Sequence, residues 1–340
     1  MDRPVPAIFV SKFAQRPLDS LVTLGNNLRM SWNIFVARRI PAVGLEYLKQ
    51  QCRQVDQFDE EFAMSSAALS QAAAGREGLL VMANDRVDAA LLAAAGGQLR
   101  VISNFGVGYN NIDVLEAKRR GIAVTNTPGV LTEATADLTW ALLLAVTRRI
   151  VEGDRLARGG QWQGWSPTQL CGADFAGKTL GIVGAGRIGA AVAKRASGFS
   201  LRVLGVSSRS PRAEFEQLLH ESDFITVHVP LTDATRHLFG EKEFRLMKPT
   251  AYFINMARGP VHDEPALVAA LRQGWIAGAG LDVYEQEPQI DPGLRTLDNV
   301  VLLPHLGSAA TETRQRMARM AAENLVAVLA GRSCANIVNP

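Results

Sequence analysis

From residue 31 onward, short apolar runs alternate with stretches whose apolar residues recur at helical spacing. "NIFVARRI", "GLLVM", "RVISNF" and "IAVTNTP" read as buried strands. "VDAALLAAAGG" and "NIDVLEAKRRG" lie among them, carry helical periodicity and end at glycine. Such βαβ alternation predicts a parallel sheet covered by helices. Residues 132–160, "TEATADLTWALLLAVTRRIVEGDRLARGG", are periodic throughout and predict one long helix. A second alternating series runs from "KTLGIVGAG" to "NVVLLPHLG", and "TRQRMARMAAENLVAVLAG" adds a final amphipathic helix. There is no internal repeat and no low-complexity segment. Two α/β series predict two similar layered domains with a cleft between them.

Composition narrows the class. A chain of 340 residues with 47% hydrophobic positions accommodates two globular domains. Its net charge of +3 is small, and its basic residues are scattered among acids, which speaks against nucleic acid as a partner. Cys52, Cys171 and Cys334 are odd in number and far apart, so they form neither a metal pattern nor a disulfide framework. That usage suits a reducing, cytoplasmic setting. No apolar run approaches the roughly 18 residues of a membrane helix. Residues 1–30 have several basic residues but no apolar signal-peptide core. They read as a disordered extension, or as an artefact of start assignment, because Met30 directly precedes "SWNIFVARRIP".

The chemistry begins at Gly184-Ala185-Gly186-Arg187-Ile188-Gly189. A lone GxGxxG is weak evidence, and a ligand-free strand–helix turn is the bland alternative. This one follows an apolar strand and opens an Ala-rich helix, the setting in which backbone N–H groups and a helix N-terminus hold a pyrophosphate. About 20 residues further, an acid would hold a free ribose 2′-hydroxyl. "RVLGVSSRS" has Ser207, Ser208 and Arg209 there instead. Hydroxyls and a guanidinium attract a 2′-phosphate, which points to NADP(H) as the preferred cofactor, with NAD(H) as the alternative. Arg212 is a second candidate contact.

Three further stretches place polar groups after strands of the second series. They are Arg258 in "FINMARGPVHDE", Asp282, Glu285 and Glu287 in "GLDVYEQEP", and His305 in "LLPHLGSA". Ligands of open parallel sheets bind at the carboxyl ends of strands. Histidine suits proton transfer near neutrality, arginine an anionic substrate, and glutamate the tuning of a histidine.

With "NFGVGYNNIDVLEAKRRGIAVTNTPGVLTEATADLT" and "HVPLT", these motifs stand in an order and spacing that resembles the D-2-hydroxyacid dehydrogenase family, and within it the glyoxylate/hydroxypyruvate reductases. The similarity spans residues 31–338. It implies an α/β fold of two Rossmann-like or flavodoxin-like parallel-sheet domains with the active site in the cleft. Residues 31–130 and 313–340 would form the substrate domain, and 131–312 the NAD(P)-binding domain. The implied activity is reduction of small 2-oxo acids to D-2-hydroxy acids. Arg258, Glu287 and His305 fall on the family's catalytic set. Arg258 would hold the substrate carboxylate with the backbone N–H groups of Val107 and Gly108. His305 would protonate the carbonyl oxygen, with Glu287 on its other nitrogen stabilising the imidazolium. Asp282 would bond the nicotinamide carboxamide, and Pro230, Thr235, Met256, Ala257, His305 and Gly307 would add cofactor contacts. Trp162 and Trp165 match an arm that reaches across a homodimer, Trp165 closing the substrate pocket. No metal is implied.

The chain departs from the family after Arg212, where a longer segment carrying a further strand is usual. An edge strand and part of the adenine pocket are therefore expected to be absent. D-lactate and 3-phosphoglycerate dehydrogenases are the nearest alternatives. Glu287 stands where formate dehydrogenases have glutamine, and the dinucleotide-sensing co-repressors of similar fold are a more distant alternative.

Overall fold

The computed structural model describes residues 30–340. The expectation of a disordered extension falls outside the described residues, apart from Met30, which opens the first strand. The first sheet is built from β1 (Met30–Val36), β2 (Cys52–Gln57), β3 (Gly78–Met82), β4 (Val101–Phe105) and β5 (Ala123–Thr125), in the order β2-β1-β3-β4-β5. All its pairings are parallel. Helices α1 (Ala42–Gln51), α2 (Ser66–Ala73), α3 (Ala89–Ala95) and α4 (Val114–Arg119) connect the strands.

Because successive strand side chains point to opposite faces, Ile34 and Val36 join one core and Phe35 and Ala37 the other. The first core is closed by α11 (Thr311–Leu329), whose Ala318, Ala321, Ala322 and Leu325 are fully buried. Small residues let helices approach closely. A Cβ on Gly44 of α1 would overlap the Ala318 backbone.

The second sheet has the order β11-β10-β9-β8-β6-β7 and is also entirely parallel. Its strands are β6 (Thr179–Val183), β7 (Arg202–Val206), β8 (Phe224–Val227), β9 (Tyr252–Asn255), β10 (Gly278–Leu281) and β11 (Val300–Leu302). On one face lie α5 (Thr132–Thr147) and α7 (Arg187–Ala196). The other is covered by α8 (Arg212–Glu221), α9 (Glu241–Leu246) and α10 (Glu264–Arg272). The chain therefore passes from one sheet to the other before α5 and returns to the first between β11 and α11.

Residues 132–160 do not form one helix. The segment breaks after Thr147, and α6 spans Ile150–Arg158. At the break Arg149 adopts φ +52°, a left-handed conformation unusual for a residue with a side chain. The Thr147 carbonyl accepts from Ala173 N–H at 3.0 Å, a tertiary contact in place of the next helical bond. Arg149 itself bridges forward to Glu152 at 2.6 Å. The hydrophobic pattern crosses this point without interruption, so the break has no signature in periodicity. Strand β2 lacked one too. "CRQVDQ" is a polar edge strand with only Cys52 buried. After Arg209 the chain enters α8 without forming another strand, and β7 is left as the sheet edge.

Candidate active site

Parallel crossovers bring every strand's carboxyl end to one side of its sheet. Arg258 follows β9, Asp282 follows β10 and His305 follows β11, all on the same rim. His305 has φ +57°, and its loop is strapped from below by Asp282. The Asp282 carbonyl accepts from His305 N–H at 3.0 Å, while its two carboxylate oxygens accept from Leu306 N–H at 2.6 Å and Gly307 N–H at 2.8 Å. Asp282 is 1% exposed, and burial pushes its carboxyl above the ordinary range. Each oxygen keeps a lone pair for a further donor. The residue expected to face the cofactor is thus also the one that shapes the His305 loop.

His305 Nδ1 lies 2.8 Å from Glu287 Oε2, and Glu287 Oε1 accepts from Tyr284 N–H at 3.2 Å. Burial raises the Glu287 carboxyl, but the hydrogen bond and charge of His305, with Arg258 nearby, outweigh it and hold the group below the usual range. An ionised Glu287 only accepts, so Nδ1 carries the proton and Nε2 is the nitrogen left for chemistry.

Arg258 is partly buried and makes two bonds within the protein, Nη1 to the Ala257 carbonyl at 2.7 Å and Nε to Asn110 Oδ1 at 3.1 Å. No carboxylate forms an ion pair with it among the described residues. Burial lowers its pKa, with the charge of Glu287 opposing. Its guanidinium lies against Gly108, where any Cβ would overlap it. The carbonyls of Val107 and Gly108 are held by Asn126 Nδ2 and Asn104 Nδ2, each at 2.8 Å. Their N–H groups have no acceptor among the described residues. Two free N–H groups beside an uncompensated guanidinium form a seat for a carboxylate. Sequence reading missed Asn104, Asn110 and Asn126. The asparagine-rich stretch "NFGVGYNN" was the available signal for Asn104 and Asn110, and Asn126 had none.

At the far end of the rim, β6 is buried throughout and turns at Gly184, with φ +105°. A Cβ there would meet the His228 backbone, one on Gly189 would overlap the Gly184 carbonyl, and one on Gly186 would enter open space. Helix α7 starts without a side-chain cap, which leaves its first N–H groups for an anion. The cradle fits a dinucleotide pyrophosphate, with Ala185, Arg187 and Ile188 completing the turn. Ser207, Ser208 and Arg209 form the exposed turn after β7, and Arg209 enters no ion pair among the described residues. Arg212 does not join them. It bonds Glu243 at 2.5 Å and Glu216 at 3.1 Å and lies over the Phe215 ring. Thr235 Oγ1 donates to the Pro230 carbonyl at 2.7 Å beyond β8. Met256 and Ala257 are buried after β9, and Gly307 packs beside Met256 and Asp282. Trp162 and Trp165 are 59% and 84% exposed, on the stretch between α6 and β6. No acid, histidine or cysteine cluster suited to a metal occurs among the described residues.

Two parallel α/β units sharing a rim with a dinucleotide cradle, a His–Glu pair and an unpaired arginine define a nicotinamide-dependent oxidoreductase site. Residues 140–307 match the model of the D-isomer specific 2-hydroxyacid dehydrogenase NAD binding domain. The glyoxylate reductase of Thermococcus litoralis is 48% identical over 324 residues, covering 91% of this chain and 97% of its own. That of Korarchaeum cryptofilum is 48% identical over 91% of this chain and 96% of its own. The NADPH-dependent glyoxylate/hydroxypyruvate reductase of Sinorhizobium meliloti, solved with NADP and malonate, superposes with a TM-score of 0.81. It is 33% identical and covers 91% of this chain and 97% of its own. The chain belongs to the D-2-hydroxyacid dehydrogenase family, and its cofactor is a nicotinamide dinucleotide.

Proposed function

We propose that the protein reduces glyoxylate and hydroxypyruvate to the corresponding 2-hydroxy acids, of D configuration where C2 becomes chiral, with NADPH as the preferred cofactor. The observation that carries this reading is the carboxylate-free Arg258 against the free N–H groups of Val107 and Gly108. The names of the relatives support glyoxylate as substrate. In this reading residues 31–130 and 313–340 serve as the substrate domain and 131–312 as the cofactor domain.

Arg258, Val107 and Gly108 hold the substrate carboxylate, fixing the carbonyl at C2 toward His305 Nε2. When bound, the reduced nicotinamide supplies hydride to C2. His305 Nε2 gives its proton to the carbonyl oxygen, so the C=O π bond becomes a C–H and an O–H bond. Glu287 receives the Nδ1–H throughout, which keeps the ring oriented with Nε2 toward the carbonyl oxygen. The exposed tryptophans fit a homodimer in which Trp165 closes the partner's pocket. Measuring turnover of a panel of 2-oxo acids with both cofactors tests the reading. No reduction of glyoxylate or hydroxypyruvate by either cofactor would overturn it.

Cofactor choice is assigned to the turn after β7. An exposed charge-assisted contact to a 2′-phosphate contributes about 1.5 kcal/mol or somewhat more, roughly one decade in kcat/KM. Arg209→Ala should therefore reduce NADPH use more than NADH use. Ser207→Asp should lower the NADPH/NADH ratio further by repelling the phosphate and meeting a free 2′-hydroxyl. High salt should narrow the preference. A wild-type preference for NADH, or a ratio unmoved by Arg209→Ala, would count against this assignment.

A further inference from the structure

The turn that carries Arg258 is braced by its own backbone, with Val261 N–H donating to the Arg258 carbonyl at 3.1 Å, and by two side chains behind it. Asn255 ends β9, is fully buried, and uses every polar atom of its amide. Its Oδ1 accepts from Ala257 N–H at 2.9 Å, and its Nδ2 donates to the Arg258 carbonyl at 3.0 Å and meets His262 Nδ1 at 2.9 Å. These partners fix the amide's orientation. A backbone N–H only donates and a carbonyl only accepts, so the oxygen faces Ala257 and the nitrogen faces Arg258. His262 Nδ1 must then accept, and its ring is neutral with the proton on Nε2. Burial enforces the same state, pushing the His262 pKa down to about 3.

Nε2 itself has no hydrogen-bond partner among the described residues, and the ring stands edge-on to Phe253 with centroids 5.7 Å apart. An imidazole with an unpaired buried N–H is a costly way to fill apolar space. Its one polar contribution is the Nδ1 acceptor. On its other side the turn is pressed against a neighbouring loop, since a Cβ on Gly259 would overlap the Tyr284 backbone.

We infer that His262 is a positioning residue: by accepting from Asn255 it holds the amide that holds the Arg258 carbonyl, and so keeps the guanidinium opposite Val107 and Gly108. The inference rests on Arg258 being the carboxylate clamp. His262→Leu removes the acceptor at similar volume. His262→Asn returns an oxygen near the place of Nδ1 but brings an unpaired buried amide. Steady-state kinetics with glyoxylate and NADPH, alongside Tm, tests the pair. His262→Leu is expected to raise the glyoxylate KM about tenfold or more, while kcat and the NADPH KM stay within about threefold. His262→Asn is expected to recover the glyoxylate KM to within about threefold of wild type even though its Tm falls. Asn255→Leu breaks the same link from the other side and should reproduce the rise. The inference is overturned by a wild-type glyoxylate KM in folded His262→Leu or Asn255→Leu. It is equally overturned if kcat and both KM values move together with Tm and asparagine recovers nothing. Arg258→Ala in the same assay separates the two levels. An unchanged glyoxylate KM there removes the clamp itself, whereas a rise there without one in His262→Leu removes only the role of His262.

Discussion

Replacing His305 is expected to lower kcat for glyoxylate by about 10²- to 10⁴-fold, the range of a lost general acid, while NADPH binding stays near wild type. The choice of variant matters because His305 sits at φ +57°. Alanine would add backbone strain, whereas asparagine tolerates the left-handed region and cannot supply the proton. His305→Asn is therefore the cleaner probe, with NADPH affinity followed by fluorescence titration. A kcat within about threefold of wild type would take His305 off the proton path. The Glu287 pair adds a pH expectation. A carboxyl whose folded pKa lies below its unfolded value stabilises the fold above the ordinary carboxylate range and loses that contribution as pH falls through the folded value. Burial favours the neutral form of Glu287, yet His305 holds it below that range. The stabilisation should thus be complete above the ordinary carboxylate range, decline as pH falls through that range and be gone below the folded value, measurable as a Tm–pH profile that Glu287→Gln flattens.

Arg258→Ala carries the second large effect. Removing one partner of a charged, hydrogen-bonded pair from a partly buried seat costs about 2–5 kcal/mol, or roughly 30- to 5,000-fold in kcat/KM. The alanine variant leaves the substrate carboxylate with only the Val107 and Gly108 N–H groups. Arg258→Lys should recover part of the loss, since an ammonium restores charge but not the two-pronged geometry. Lysine also cannot reproduce the simultaneous bonds to Asn110 and the Ala257 carbonyl. Comparing kcat/KM for glyoxylate among the three proteins decides the matter. An alanine variant equal to wild type would remove Arg258 from the substrate site.

Much of this site was legible in the chain because its parts are local. Gly184, Gly186 and Gly189 report a turn whose geometry a few consecutive residues dictate. Arg258, Asp282 and His305 were locatable because each directly follows an apolar run, and right-handed crossovers deliver all such positions to one rim. The missing acid at Ser207 needed no coordinates either. What lay beyond reach depended on contacts distant in sequence. Arg212 stood as a second candidate contact after Arg209, until Glu243, 31 residues on, was seen to bind it. The long helix broke because Ala173 takes the Thr147 carbonyl, and nothing in residues 132–160 encodes that competition. Strand β2 exists because β1 offers it an edge, although its own residues are mostly polar.

By itself, then, the sequence determined the layered α/β alternation, the phosphate cradle, the strand-end positions of Arg258, Asp282 and His305, and the absence of an acid at Ser207. Each is written in short-range periodicity or in neighbouring residues. Tertiary structure alone decided that Arg258 faces Gly108 across 150 positions, that Asp282 straps the His305 loop, and that Asn255 and His262 hold the arginine's turn. Hydrogen-bond partners are chosen by distance and angle in the folded chain, and a polar side chain's identity states only what it can bond, never which group will be within reach.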